Sequence, residues 1–316
     1  MPVLTRRARL LALATLLALA AGIVIVALIR QPEPSAPDLP SSATPSVSRS
    51  ASPAASSPSD EAPVLLAVGD IGYCDGETDE AVATLASRLP GSLAILGDIA
   101  YPDGTIGNFE SCFEPAWGPM RSRMHPTPGN HEYETPEASA YFAWFGAAAG
   151  EPGQGWYSWD LGAWHLVALN SNCALVGGCG AGSPQLAWLE ADLAAHPTAC
   201  LLAYWHHPRY SSGRHGSIEE TDALWNALVG AGMDVALAGH DHTYERMVVD
   251  GVREFVVGTG GRSLYPFEDE ALPATEVRQD DTYGILRLDL GEGGYEWEFL
   301  PAGPTVFSDA GTGDCG

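Results

Sequence analysis

The stretch VALAGHDHTYER, residues 235–246, decides the fold class. Its first four residues are apolar and run into Gly239, after which His240 and His242 flank Asp241. A short apolar run closed by glycine reads as a strand buried on both faces, the kind that helices cover in an α/β sheet. Side chains two residues apart point the same way on an extended backbone. Two imidazoles on one side either hold a metal or are unrelated surface residues, and one pair does not decide.

Three other runs repeat the pattern. VLLAV (64–68) leads into Gly69-Asp70, LAIL (93–96) into Gly97-Asp98, and LLAYW (201–205) into His206-His207. Helix-like segments lie between them at 79–88, at 184–196 with Ser183 as a fair N-cap, and at 219–231. Further strand patterns cover 156–160, 164–169, 254–257, 285–290 and 295–300, and their polar–apolar alternation signals mixed or antiparallel pairing. Alternating elements followed by a strand-rich end imply an α/β layered domain. In such sheets ligands gather at the carboxyl ends of strands. Asp70, Asp98, His206 and His240 all fall there; each alone is ordinary turn chemistry, but together they ask for one site.

The 316 residues carry 40 Asp+Glu against 15 Lys+Arg, a formal charge of −25. That argues against a nucleic-acid partner, which needs clustered basic residues. An anionic substrate would need local positive charge, which a metal site supplies. Near the N-terminus, TRRARLL (5–11) is basic, and residues 10–29 are apolar or small without a charge. That length spans a hydrocarbon core of ~30 Å as a helix. Residues 18–20 resemble a signal-peptidase site, but the apolar run continues past them. An uncleaved membrane anchor is therefore favoured over a cleaved signal and a secreted chain. Arg6, Arg7 and Arg9 favour a cytoplasmic N-terminus with the rest outside. Residues 31–62 are almost wholly Pro, Ser, Ala and Thr and read as a disordered linker. The folded domain is expected over 63–303, with a C-terminal tail at 304–316.

Six cysteines in an exported chain favour disulfides. Cys173 and Cys179 flank a Gly-rich loop and are the easiest local pair; Cys74–Cys112 and Cys200–Cys315 follow only by elimination. No CxxC spacing points to a cysteine zinc site.

Five motifs occur in order: GDIG (69–72), GDIAY (97–101), GNHE (129–132), WHH (205–207) and GHDH (239–242). The set resembles the calcineurin-like metallophosphoesterase superfamily, and within it the purple acid phosphatases, with Tyr101 carrying the finer distinction. The likeness covers about residues 64–261. It implies a layered sandwich of two mixed β-sheets flanked by helices. It also implies one metal, ferric iron, on Asp70, Asp98, Tyr101 and His242, and a divalent iron, zinc or manganese on the bridging Asp98, Asn130, His206 and His240. His240 and His242 would then serve different metals. Carboxylate and phenolate oxygens suit a hard trivalent ion, while imidazole and amide suit a divalent one. The implied reaction is direct hydrolysis of a small phosphate ester by metal-activated water, with His131 as general acid and His215, in SSGRHG, as a weaker match for a second phosphate-contacting histidine.

Other polar residues receive blander readings. His165, inside a strand-like run, is read as structural, and His125 and His196 fall outside the motifs. His207 would point away from His206 on an extended backbone. Asp241 and Glu132 are expected to support loops, Trp156, Trp159, Trp164 and Trp188 to fill a core, and GTGG (258–261) to form a tight loop near the cleft. The leading function is an extracytoplasmic phosphatase of monoesters; a phosphodiesterase is the alternative, and an idle metal-binding module ranks below both. Plant-type members carry an additional N-terminal β-sandwich domain. Here only a strand precedes Asp70, which implies a compact form, expected to be monomeric.

Overall fold

The computed structural model describes residues 62–316 except Asp75 and Asp269. The expected anchor at 10–29, and all but the last residue of the expected linker, lie outside the described residues. Among the described residues, no helix is long and apolar enough to cross a membrane.

Strands are β1 (Val64–Val68), β2 (Ser92–Leu96), β3 (Met124–Thr127), β4 (Tyr157–Leu161), β5 (Trp164–Ala168), β6 (Cys200–Tyr204) and β7 (Val235–Ala238). They continue with β8 (Tyr244–Val249), β9 (Val252–Val257), β10 (Thr275–Gln279), β11 (Gly284–Gly291), β12 (Gly294–Pro301) and β13 (Ala310–Asp314). One sheet has the order β13-β12-β11-β1-β2-β3 and the other β10-β8-β9-β7-β6-β5-β4. Both are mixed. β1, β2 and β3 run parallel, with β11 antiparallel to β1. β5, β6, β7 and β9 run parallel, with β4 and β8 antiparallel at the flanks.

Strand alternation assigns each side chain to one of three cores. Leu65, Ala67, Leu286 and Leu288 of the first sheet meet Leu166, Leu202, Leu237 and Phe255 of the second in a central layer. Leu66, Leu93 and Ile95 face outward against Val82, Ala83 and Ala86 of the helix Glu77–Arg88. Val167, Leu201 and Ala236 face the other way, against Leu189 of the helix Pro184–Ala195 and Trp225 and Leu228 of the helix Asp222–Gly230. Sheets covered on both faces account for the unbroken apolar runs, each buried leucine contributing ~1.5–3 kcal/mol. β12 keeps a strict alternation: Tyr295, Trp297 and Phe299 are buried while Glu296 and Glu298 are exposed.

Four strands have no clear sequence pattern. β3 contains Pro126 and closes the edge of its sheet, where a missing donor is tolerated. β8 buries Glu245 and Arg246, whose charges are matched by partners distant in sequence: Ser212 and Thr275 donate to Glu245, and Arg246 donates to Asp309. β10 (TEVRQ) is largely polar and pairs with β8 at the sheet edge. β13 (AGTGD) is nearly devoid of large apolar residues. Residues 304–316, expected as a tail, thus supply an edge strand along β12, because backbone pairing and a disulfide hold it where its side chains do not. All three disulfides, Cys74–Cys112, Cys173–Cys179 and Cys200–Cys315, are formed.

Candidate metal centre

The ends of β1 and β2 in one sheet and of β6 and β7 in the other meet at one rim of the sandwich. Gly69 N–H donates to Val257 O across the two sheets at 2.9 Å, Asp70 N–H to Gly97 O at 3.1 Å, and Gly239 N–H to His206 O at 3.0 Å. At each strand end the chain must turn at once. Asp70, Asp98 and His240 do so with φ of 61°, 51° and 70°. That left-handed region is costly for residues with a Cβ and persists where surroundings enforce it. At the Asp98 turn, Glu132 supplies much of the enforcement. Its buried carboxylate accepts the N–H groups of Asp98 (3.0 Å), Ile99 (2.8 Å) and Gly129 (2.7 Å). Two glycines are needed for sheer proximity: a Cβ on Gly97 would lie 2.5 Å from the His206 ring, and one on Gly129 would lie 2.1 Å from Asp98 Oδ1.

The seven candidate ligands converge. The Tyr101 hydroxyl donates to Asp70 Oδ1 and Asp98 Oδ2, both at 3.0 Å, and lies 3.2 Å from His242 Nε2. His242 Nε2 is itself 3.3 Å from Asp70 Oδ1. On the other side, Asp98 Oδ1 is 3.3 Å from His206 Nε2, which is 3.1 Å from Asn130 Oδ1 and 3.2 Å from His240 Nδ1. Asp98 therefore turns one oxygen to each group.

The arrangement fits cations. Donor atoms ~3 Å apart are spaced as ligands around one ion with bonds of ~2.0–2.2 Å. The tautomers suit the same role, because His206 Nδ1 is anchored on Leu96 O at 2.7 Å and His242 Nδ1 on Ser263 O at 2.8 Å. Such bonds hold the ring and leave Nε2 to face the cavity.

The electrostatics are those of a crowded acid–base cluster. Burial opposes ionisation of Asp98, yet His206 and His131 hold its carboxyl well below the usual carboxylate range. Burial disfavours a charge on His206, but Asp98 outweighs it and raises the pKa to about 9. Burial, then His206 and His207, push His240 far below the usual imidazole range, so it is neutral. Burial, then Asp70 and Asp98, push the Tyr101 phenol well above its usual range. Cations would have to displace protons from His206 and Tyr101, which couples loading to pH.

His131 and His215 sit beside this cluster. His131 Nε2 is 3.7 Å from Asp98 Oδ2, its backbone N–H donates to Asp98 Oδ1 at 3.0 Å, and its Nδ1 contacts Pro102 O. The His215 ring lies 4.4 Å from that of His240, and its backbone N–H is held by Asp241 at 2.8 Å. Sequence reasoning misplaced His207. β6 ends at Tyr204, so strand alternation no longer applies, and the His207 ring lies 4.4 Å from His240 with Nδ1 2.8 Å from Ser171 Oγ. Three other neighbours had no motif to announce them. Tyr265 stacks on His242 at 4.3 Å, the Arg214 guanidinium lies 5.2 Å from Tyr265, and that of Arg262 lies 5.4 Å from the Tyr101 ring. The GTGG loop underlies the same rim, with Gly260 N–H donating to Gly69 O.

Comparison with known proteins agrees with this geometry. Residues 63–244 match the family described as calcineurin-like phosphoesterase. Acid phosphatase type 7 of Homo sapiens is 30% identical over 284 residues, covering 73% of this chain and 62% of that protein. Purple acid phosphatase 23 of Arabidopsis thaliana is 32% identical over 220 residues, covering 57% and 46%. The chain thus spans about half to three-fifths of the length of these two relatives. A purple acid phosphatase from yellow lupin (Lupinus luteus) seeds superposes with a TM-score of 0.68 at 18% identity, over 78% of this chain and 53% of that one. A dimetal phosphatase from Danio rerio superposes with a TM-score of 0.56 at 14% identity, over 79% and 99%. At such identities the superpositions establish the fold.

Proposed function

The chain belongs to the calcineurin-like phosphoesterase family, and from that premise we propose that it is a two-metal phosphatase acting on small phosphate monoesters. The observation that carries the reading is Asp98, whose two oxygens are divided between Tyr101 and His206. One carboxylate shared by an oxygen-rich group and an imidazole-rich group is what a dinuclear site requires. Asp70, Asp98, Tyr101 and His242 would hold a ferric ion, and Asp98, Asn130, His206 and His240 a divalent iron, zinc or manganese. The Tyr101 phenol oxygen between Asp70 and Asp98 favours the trivalent assignment, since hard oxygen donors suit a trivalent ion. When bound, such a metal pair neutralises phosphate charge and activates water for in-line displacement.

The protein's own residues supply the rest. His131 stands one-third exposed at the rim, with Nδ1 against Pro102 O, and places Nε2 to give a proton to the leaving oxygen. His215 and His207 flank His240, where they can donate hydrogen bonds to phosphate oxygens. Arg214 and Arg262 draw an anion toward a rim that the net charge of −25 would otherwise repel. The enclosing disulfides suit an oxidising compartment outside the cytoplasm.

Metal analysis joined to a visible spectrum tests the site. Two metals per chain and a phenolate-to-iron band that disappears in Tyr101→Phe support the assignment; an unchanged band removes Tyr101 as a ligand. A phosphodiesterase would use the same residues, so a matched monoester and diester compared by kcat/KM decides the substrate class, and faster diester turnover overturns the monoester reading.

A further inference from the structure

At the opposite end of the second sheet from this rim, a different cluster gathers His165, Asp160, Asp192 and His196. Asp160 and His165 face each other across the β4–β5 register. Asp192 and His196 lie four residues apart at the end of the helix Pro184–Ala195, so they share one face. His165 is buried between two carboxylates: Nδ1 is 2.8 Å from Asp160 Oδ1, and Nε2 is 2.9 Å from Asp192 Oδ2. The His196 ring stacks on His165 at 4.7 Å, and its Nδ1 is 3.3 Å from Asp192 Oδ1. The potential donor atoms of His165, Asp192 and His196 all lie within 4.8 Å of one another.

We propose that His165, Asp192 and His196 form a third metal site, for a divalent transition cation of zinc type, with Asp160 orienting His165. The donor set is two imidazoles and a carboxylate, which suits zinc or a similar borderline ion and leaves one coordination position for water. The surrounding bonds are those that accompany such ligands. Asp160 takes the Nδ1 hydrogen of His165 and leaves Nε2 as the ligand, while Ser158 Oγ donates to Asp192 Oδ1 at 2.7 Å. Charge points the same way. Two carboxylates, Asp160 and Asp192, flank the buried His165 ring in a chain of net charge −25, so the site offers negative charge to a cation. A divalent ion would replace the contact between His165 Nε2 and Asp192 Oδ2 and neutralise carboxylate charge. His196 is half exposed and lines a surface cleft with His165, Gly162 and Thr198, so it forms the open side of the site. The bound ion would staple the edge pair β4–β5 to the adjoining helix.

The test is metal content and thermal unfolding of the full chain with its other metals loaded, equilibrated with Zn2+ and freed of excess. Wild type is expected to carry one more metal equivalent than His196→Ala or the near-isosteric Asp192→Asn, with phosphatase turnover equal in all three. Added Zn2+ should raise the melting temperature of wild type and leave that of His196→Ala in place. Equal metal content in wild type and both variants overturns the site. So does a Zn2+-induced shift that survives His196→Ala, since that would belong to the rim cluster.

Discussion

The second sheet carries histidines and carboxylates at both ends, and the ends are built differently. At the rim, His206 and His242 are anchored by backbone carbonyls, on Leu96 O and Ser263 O, and each turns Nε2 inward. At the far end His165 gives both nitrogens to side-chain carboxylates. The rim residues stand on turns, with Asp70, Asp98 and His240 in left-handed backbone. Asp160, His165 and Asp192 keep ordinary strand and helix geometry. Backbone anchoring fixes each ring and turns its other nitrogen toward Asp70 or Asp98, so the rim's donors crowd together as they would around a cation. Side-chain pairing instead links β4, β5 and the helix Pro184–Ala195 through one buried imidazole. The nearby Cys200–Cys315 bond serves the same purpose by tying β6 to the last residues of the chain.

This contrast can be broken at several points. The largest expected effect is on turnover: Asp98→Asn removes the carboxylate shared by both ligand groups and should lower kcat by ~10³-fold or more while the melting temperature stays within a few degrees. Substantial activity in that variant, measured with metals supplied, would end the account of the rim. Next is a pure stability effect at the far end. Replacing Cys200 and Cys315 by Ser releases a bond spanning 115 residues and should cost about 2–4 kcal/mol in urea unfolding with kcat unchanged. A fall in kcat would mean the two ends are mechanically linked.

His131→Ala should slow esters with poor leaving groups by ~10²-fold, spare activated aryl esters and retain metal. Equal slowing of both ester types would assign His131 to positioning. The smallest effect concerns Glu254, beneath the loop after β6, whose carboxyl accepts from Arg209 and Tyr210. Burial raises its pKa from 4.5 to about 8, so the stability it contributes is complete below pH 4.5 and declines as pH rises toward 8. Glu254→Gln should remove that decline and melt ~2–4 °C higher than wild type above pH 8. Parallel pH profiles for the two proteins would show that Glu254 is not the group responsible.

Legibility followed the local physics. The runs at 64–68, 93–96, 201–205 and 235–238 announced themselves because strands covered on both faces must be apolar throughout, and they recur as β1, β2, β6 and β7. β8 did not, because its buried Glu245 and Arg246 look like surface residues until Ser212, Thr275 and Asp309 are brought to them. β13 has almost no apolar signal, since backbone pairing along β12 defines it. At the rim, the order and spacing of the five motifs marked each candidate ligand. His207 went astray because alternation was extended one step beyond the strand's end, and Tyr265, Arg214 and Arg262 lie on loops with no periodicity to read.

What the sequence determined alone was the set of strands that end at the rim, because a strand's apolar run and the glycine after it are local necessities. The candidate donor residues were marked by the resemblance of five motifs. Tertiary structure alone decided which donors meet, which nitrogen of each histidine faces inward and how Asp98 divides its oxygens. Those depend on contacts between residues far apart in the chain, such as His206 with Leu96 or Gly69 with Val257, and no local pattern encodes a distance across two sheets.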